Sequence, residues 1–208
     1  MVKLSRYHKE IFKRNVSDPT NKLGESSVCI LGLGGLGSNI AVSLARAGIG
    51  RLILVDFDRV EESNLNRQYY NLTHIGMKKT EAIVDVIRSI NRDIVLEVID
   101  KKIDRDNILE IVDKESIICE ALDNAMTKSM VVGEILSNYS DKFVVASSGM
   151  AGIGDANSIK TVKRFKNLYI CGDDVSDFEE VDGMMAPRVN ICAGHQANII
   201  LRIIMGIE

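Results

Sequence analysis

One short stretch, residues 32–68, collects the residue types needed to hold a polyphosphate: glycines, carboxylates, carboxamides and a guanidinium. Gly32-Leu33-Gly34-Gly35-Leu36-Gly37 fits the spacing G-x-G-x-x-G. Missing side chains let the backbone turn sharply there and come close to a phosphate. A helix starting at that point adds N–H donors and a partial positive charge. An acid about 20 residues further on is the usual ribose partner of such a turn, and Asp56 stands at that place, followed by Asp58. The turn places a nucleotide without choosing between NAD and ATP.

The next loop, SNLNRQ at residues 63–68, makes that choice. A hydride-transfer enzyme has little use for a guanidinium beside two amides here. An enzyme acting on a triphosphate would use Arg67 as a planar fork on phosphate oxygens, with Asn64 and Gln68 as neutral donors. Lys79, near the start of a predicted helix, can project over the same pocket as a point charge. Asp123 falls at the carboxyl end of a predicted strand, where ligands bind in open α/β sheets, and is a candidate Mg2+ ligand. Taken singly, Lys79 reads equally well as a solvated helix charge and Asp123 as the N-cap of the helix from Ala125. Together with the glycine turn they form a phosphoryl-handling set.

The elements that must carry these residues follow from hydrophobic patterning. Residues 27–33 (SVCILGL) are almost unbroken in apolar character, as a parallel strand covered on both faces requires. A helix over 36–48 buries Ile40, Leu44 and Ala47 on one face, and residues 51–57 return as a second strand. Strand, crossover helix and strand make a right-handed βαβ unit. Further on the pattern predicts a helix over 76–91, a strand over 94–103, a short helix over 106–112 and a strand over 116–122. A helix over 125–138 and a strand over 142–147 come next. Beyond Gly149 short β-like pieces at 157–164 and 167–171 read as antiparallel additions. An acidic loop over 173–185 leads to a closing helix over 189–207. The fold class is therefore α/β and Rossmann-like: a mostly parallel sheet with helices on both faces and antiparallel strands added near the C-terminus. Residues 1–26 read as an N-terminal helix and linker, and 27–208 as a single domain without repeats.

The 208 residues suffice for one well-buried domain. With 46% hydrophobic and 26% charged residues the composition is that of a globular protein. No apolar run approaches the roughly 20 residues of a membrane span, and the charged N-terminus lacks the apolar segment of a signal peptide. A cytoplasmic location is expected. The net charge of −3 argues against a nucleic-acid partner, although a local basic groove is compatible with it. Cys29, Cys119, Cys171 and Cys192 are scattered without a C-x-x-C pair. That points to reduced, mostly buried thiols rather than disulfides or zinc. His8, His74 and His195 read as surface or helix residues with no metal role.

GLGGLGS, LVDFDRVEESNLNRQ, GMKKTEA and ALDN together resemble the ThiF/MoeB-type activating enzymes, bacterial relatives of ubiquitin-activating enzymes. The resemblance runs from about Arg6 to the C-terminal helix, and SNLNRQ after DFD is its most specific part. It implies that Gly32, Gly34, Gly35, Gly37, Asp56 and Asp58 frame the nucleotide. Asn64, Arg67, Gln68 and Lys79 would hold the triphosphate, and Asp123 would coordinate Mg2+. The implied reaction is adenylation. The C-terminal glycine carboxylate of a small ubiquitin-like sulfur carrier ending in Gly-Gly attacks the α-phosphate of ATP and releases pyrophosphate. The carboxylate is already ionised, so positioning and charge neutralisation by Arg67, Lys79 and the metal carry the catalysis.

The chain departs from the family in three places. One of the usual zinc pairs is replaced by Leu168-Tyr169-Ile170-Cys171 and the other has no room, so zinc is not expected. The loop in which thiamin-pathway members carry a cysteine for covalent linkage has none at 179–183. Cys171 or Cys192 could substitute, but each reads better as a packing thiol. The family's N-terminal R-Y-x-R-Q appears as Arg6-Tyr7-His8-Lys9-Glu10, which leaves Lys9 to reach the neighbouring subunit's ATP in an expected homodimer. The compact length favours a ThiS-like carrier and thiamin biosynthesis over a MoaD-like carrier. A tRNA-borne carboxylate is a rival substrate. An NAD-dependent oxidoreductase and a non-catalytic partner subunit are the readings from other classes.

Overall fold

The computed structural model describes residues 10–18, 21–176 and 183–207. Seven strands form one sheet in the order β3-β2-β1-β4-β5-β7-β6. The strands are β1 (Ser27–Leu31), β2 (Arg51–Val55), β3 (Val95–Ile99), β4 (Ile117–Glu120), β5 (Phe143–Ser147), β6 (Lys160–Phe165) and β7 (Leu168–Gly172). All neighbours pair in parallel except β6 with β7. The C-terminal pair is thus antiparallel within itself, while its inner strand joins β5 in parallel.

Among the described residues, the helices that build the domain are α1 (Lys22–Glu25), α2 (Gly35–Ala47), α3 (Lys79–Ile90), α4 (Ile108–Val112), α5 (Ala125–Asn138) and α6 (Ala186–Met205). Alternation along the strands divides them between two cores. Val28 and Ile30 of β1 join Ile40, Leu44, Ile83, Ile87 and Ile200 from α2, α3 and α6. Cys29 and Leu31 face the other way, towards Ile108, Val112, Val131 and Ile135 from α4 and α5. Burial on both faces explains the unbroken apolar runs, and each fully buried Ile or Leu contributes about 1.5–3 kcal/mol.

Several boundaries differ from the patterning, for local reasons. Helix α3 begins at Lys79 rather than Gly76, because Gly76 sits at φ 84° and Lys78 is an extended N-cap bridged to Arg59. Helix α6 begins earlier than expected, with Pro187 in its first turn, where proline's fixed φ favours a helix start. Residues 156–158 form a 3-10 turn capped by Asp155, so β6 starts later than expected.

The described residues before Ser27 pack on the domain they precede. Asn15 donates to Ala47 O at 2.8 Å, and the Lys22 ammonium donates to Met205 O at 3.2 Å. The expected roles of Lys9 and His8, and residues 177–182 of the acidic loop, lie outside the described residues.

Candidate functional site

Strand β1 lies between β2 and β4, so the chain reverses its direction of growth across the sheet beside β1. In open α/β sheets this switch point opens a crevice outside the carboxyl ends of the strands. The glycine turn follows β1 and Asp123 follows β4, so both border that crevice.

The turn is fixed by close approach and by hydrogen bonds. Gly32 has φ 91°, and a Cβ at Gly37 would lie 1.8 Å from Gly32 O, so neither position accepts a side chain. The Asp56 carboxylate, 8% exposed, accepts the Leu33 N–H at 2.6 Å and the Asp58 N–H at 2.8 Å. Two backbone donors leave it further acceptor capacity for ribose hydroxyls. From the other side the Tyr70 hydroxyl donates to Leu33 O at 2.8 Å. Burial pushes the Tyr70 phenol well above its ordinary pKa, with Asp56 and Asp58 adding to the effect, so it remains a donor.

The SNLNRQ loop folds back over the turn. The Asn39 amide of α2 donates to both Gly35 O (2.7 Å) and Arg67 O (3.0 Å). The aliphatic stem of Arg67 lies against Gly35, its Cγ 3.5 Å from where a Cβ would stand. Its Nη1 donates to Asn66 Oδ1 at 2.8 Å and Ser63 O at 3.3 Å. The Gln68 amide nitrogen is the nearest atom to the open side of Gly34, at 3.9 Å from a built Cβ. The Gln68 Oε1 is buried and has no partner among the described residues. Asn64 is buried and accepts the Glu61 N–H at 3.1 Å, closing the 3-10 turn Glu62–Asn64.

Lys79 opens α3 and is 7% exposed, with its ammonium on Asp58 Oδ2 at 2.9 Å. It is therefore not a solvated helix charge. Asp58 acts as the partner of Lys79 in this structure. Asp123 is exposed, and Asn124 rather than Asp123 caps α5, accepting the Thr127 N–H at 3.0 Å. A single free carboxylate suits Mg2+, which takes one or two carboxylates and otherwise water and phosphate oxygens. Among the described residues no group of three or more His, Cys, Asp or Glu side chains is arranged to hold a metal.

Three groups beside the site were not foreseen from sequence. Glu120 is fully buried at the end of β4. Burial raises its carboxyl pKa, offset in part by Lys128 and by the Leu122 and Ser147 N–H groups. The Lys128 ammonium also donates to Leu122 O and Ser147 Oγ, at 3.0 and 2.9 Å, which pins the loop presenting Asp123. Arg188, in the first turn of α6, is 4% exposed. It bonds Ala151 O, Gly154 O, Asp155 O, Ser158 Oγ and Asp173. Burial alone would raise the Asp173 carboxyl, but bonds from Ser176, Val175 and Arg188 outweigh it and lower the pKa. A cation in a first turn opposes the helix dipole, the one sequence signal that could have singled out Arg188.

The expectation of a surface or helical His74 needs correction. His74 is 2% exposed in a 3-10 turn, accepts the Asn71 N–H and meets Asp85 at 3.2 Å. All four cysteines are buried, as expected. Burial pushes Cys171 up to about 11 and Cys192 up to about 12, which suits packing thiols.

A family model described as the ThiF family matches residues 7–208. The chain belongs to the ThiF family. Members of this family and its ubiquitin-activating relatives are adenylating enzymes. Ubiquitin-like modifier-activating enzyme 5 of Arabidopsis thaliana is 45% identical over 85 residues, 41% of this chain and 20% of that protein. The matched stretch thus spans about a fifth of that relative's length. The tRNA threonylcarbamoyladenosine dehydratase of Haemophilus influenzae is 28% identical over 153 residues, 73% of this chain and 58% of that protein. The E. coli tRNA N6-threonylcarbamoyladenosine dehydratase, solved with ATP, superposes with a TM-score of 0.86 over 99% of this chain and 98% of that one. At 21% identity it bears out the ThiF-type Rossmann-like fold. Among the described residues no helix is long and apolar enough to cross a membrane.

Proposed function

We propose that this ThiF-family chain is an ATP-dependent adenylyltransferase that activates a carboxylate by attack on the α-phosphate of ATP. The observation that supports this reading is the aliphatic stem of Arg67 laid against Gly35 of the glycine turn, with its Nη1 bonded to Asn66 Oδ1 and Ser63 O. Asp56 holds the ribose. Arg67, Lys79, Asn64 and the Gln68 amide nitrogen hold the phosphates. Asp123 supplies a carboxylate for Mg2+, which would neutralise phosphate charge when bound. None of these groups is asked to act as a base, because the attacking carboxylate is already an anion; positioning and neutralisation carry the rate.

The preferred acceptor is the C-terminal glycine carboxylate of a small ubiquitin-like sulfur carrier, ThiS-like, in thiamin biosynthesis. The similarity to a ubiquitin-like modifier-activating enzyme, 45% identical over 85 residues, supports it. The reading includes a homodimer in which Lys9 reaches the neighbouring nucleotide.

A carboxylate borne on tRNA is the second reading, and one surface feature favours it. Edge strand β6 and the turn after it expose Lys160, Lys163, Arg164 and Lys166, a basic strip on a chain of net charge −3. Lysines also protect sheet edges from unwanted pairing, which makes the strip weaker support than the site itself.

The test is pyrophosphate exchange into ATP with two purified acceptors, a carrier ending in Gly-Gly and a modified tRNA. Stimulation by the carrier alone supports the first reading, and stimulation by tRNA alone replaces it with the second. Absence of exchange with either, alongside tight NAD binding, overturns both.

A further inference from the structure

The SNLNRQ loop contains a second asparagine with no part in the phosphate set, and its amide joins two segments distant in sequence. Asn66 Oδ1 accepts from Arg67 Nη1 at 2.8 Å, while Asn66 Nδ2 donates to Met184 O at 3.2 Å. The pair of bonds is directional. Flipping the amide would set donor against donor at Arg67 and acceptor against acceptor at Met184. The other two amides of the loop do not cross in this way: Asn64 closes its own 3-10 turn and Gln68 faces Gly34.

The far end of this link is itself held. Gly183 O accepts the Gly152 N–H at 3.0 Å, and Gly152 bridges Met184 in parallel. Met185 O accepts the Arg188 and Val189 N–H groups, each at 3.1 Å, and so starts α6. Val189 then returns to the nucleotide turn, its Cγ1 3.2 Å from a Cβ built on Gly35. Hydrogen bonds and the chain thus link Arg67 through Asn66, Met184 and Met185 to Val189, and Arg67 and Val189 both lie beside Gly35. A guanidinium drawn towards phosphate acts on the Asn66 amide, which in turn bonds Met184 O.

We propose that Asn66 is a positioning residue that couples Arg67 to the chain entering α6, so that nucleotide bound at Arg67 stiffens residues 183–189. The inference rests on the nucleotide reading given above. It assigns Asn66 no contact with substrate. Its role is to register the triphosphate against the segment bordering the crevice on the α6 side.

Amide hydrogen exchange of the full chain, with and without the imido analogue of ATP and Mg2+, tests it. In the wild type the analogue should slow exchange of residues 183–189 by about fivefold, the size expected for one hydrogen bond made firmer. Asn66→Ala should still bind the analogue but leave 183–189 at the nucleotide-free rate. Asn66→Gln, which retains both amide functions, should restore most of the slowing. Asn66 is exposed, so neither change threatens the fold. Full slowing in Asn66→Ala, or none in a wild type that binds the analogue, overturns the coupling and leaves the nucleotide reading standing. A wild type that binds no analogue overturns both.

Discussion

Lys79 and Asp58 meet at 2.9 Å, with the lysine side chain 8% exposed and the carboxylate 46% exposed. A cation at the first residue of a helix opposes the helix dipole, and a buried ammonium needs a countercharge. Asp58 supplies that charge. Lys79→Met should lower exchange activity by about 100-fold, the usual loss when one donor to developing charge is removed. Chemical denaturation should show a stability change within about 1 kcal/mol, because the carboxylate is half-exposed.

Arg67 is asked for planar recognition rather than charge alone. Arg67→Lys should therefore fail to rescue, with exchange depressed nearly as far as in Arg67→Ala, at least about 100-fold. The melting temperature of both variants should match the wild type. Near-normal exchange by the lysine variant would remove Arg67 from the phosphate set.

The proposed Mg2+ ligand Asp123 and the helix cap Asn124 are adjacent, so metal binding and folding can be tested apart. Asn124 caps α5, so Asn124→Ala should cost about 1 kcal/mol in stability and leave the Mg2+ requirement unchanged. Asp123→Ala should do the reverse, raising the Mg2+ concentration needed for half-maximal exchange without lowering the melting temperature. Identical behaviour of the two variants would contradict the assignment.

Much of this arrangement is legible in the sequence, for physical reasons. The unbroken apolar runs at Val28–Leu31 and Leu52–Val55 leave little but doubly covered strands, and glycine spacing marks the turn between β1 and α2. The helix over 125–138 is bounded as expected, with Asn124 as its cap. What patterning cannot register is long-range polar pairing. Glu120 and Lys128 meet because one ends a strand and the other lies in the next helix. The Asn66 link to Met184 crosses most of the chain, and β7 enters the sheet in parallel through a connection that itself contains a strand.

The pair Glu120 and Lys128 gives a pH-dependent prediction. Burial raises the folded-state pKa of Glu120 above its unfolded value, so the native state binds the proton more tightly and stability falls as pH rises through that range. Lys128 offsets the cost. Lys128→Met leaves a buried carboxylate unpaired, which should destabilise the chain by about 3–5 kcal/mol at neutral pH. That deficit should shrink as the pH is lowered and Glu120 takes up a proton. Denaturant titrations at several pH values check the sign, and a deficit that grows on acidification would contradict it.

The central claim is that ATP is cleaved between its α- and β-phosphates by an acceptor carboxylate. ATP labelled separately at the α- and γ-positions, incubated with the chain, Mg2+ and a carrier ending in Gly-Gly, tests it most directly. The account predicts the γ-label in pyrophosphate and the α-label in an adenylate bonded to the carrier, both formed only with acceptor present, and loss of both in Arg67→Ala. Formation of ADP and phosphate instead would contradict it.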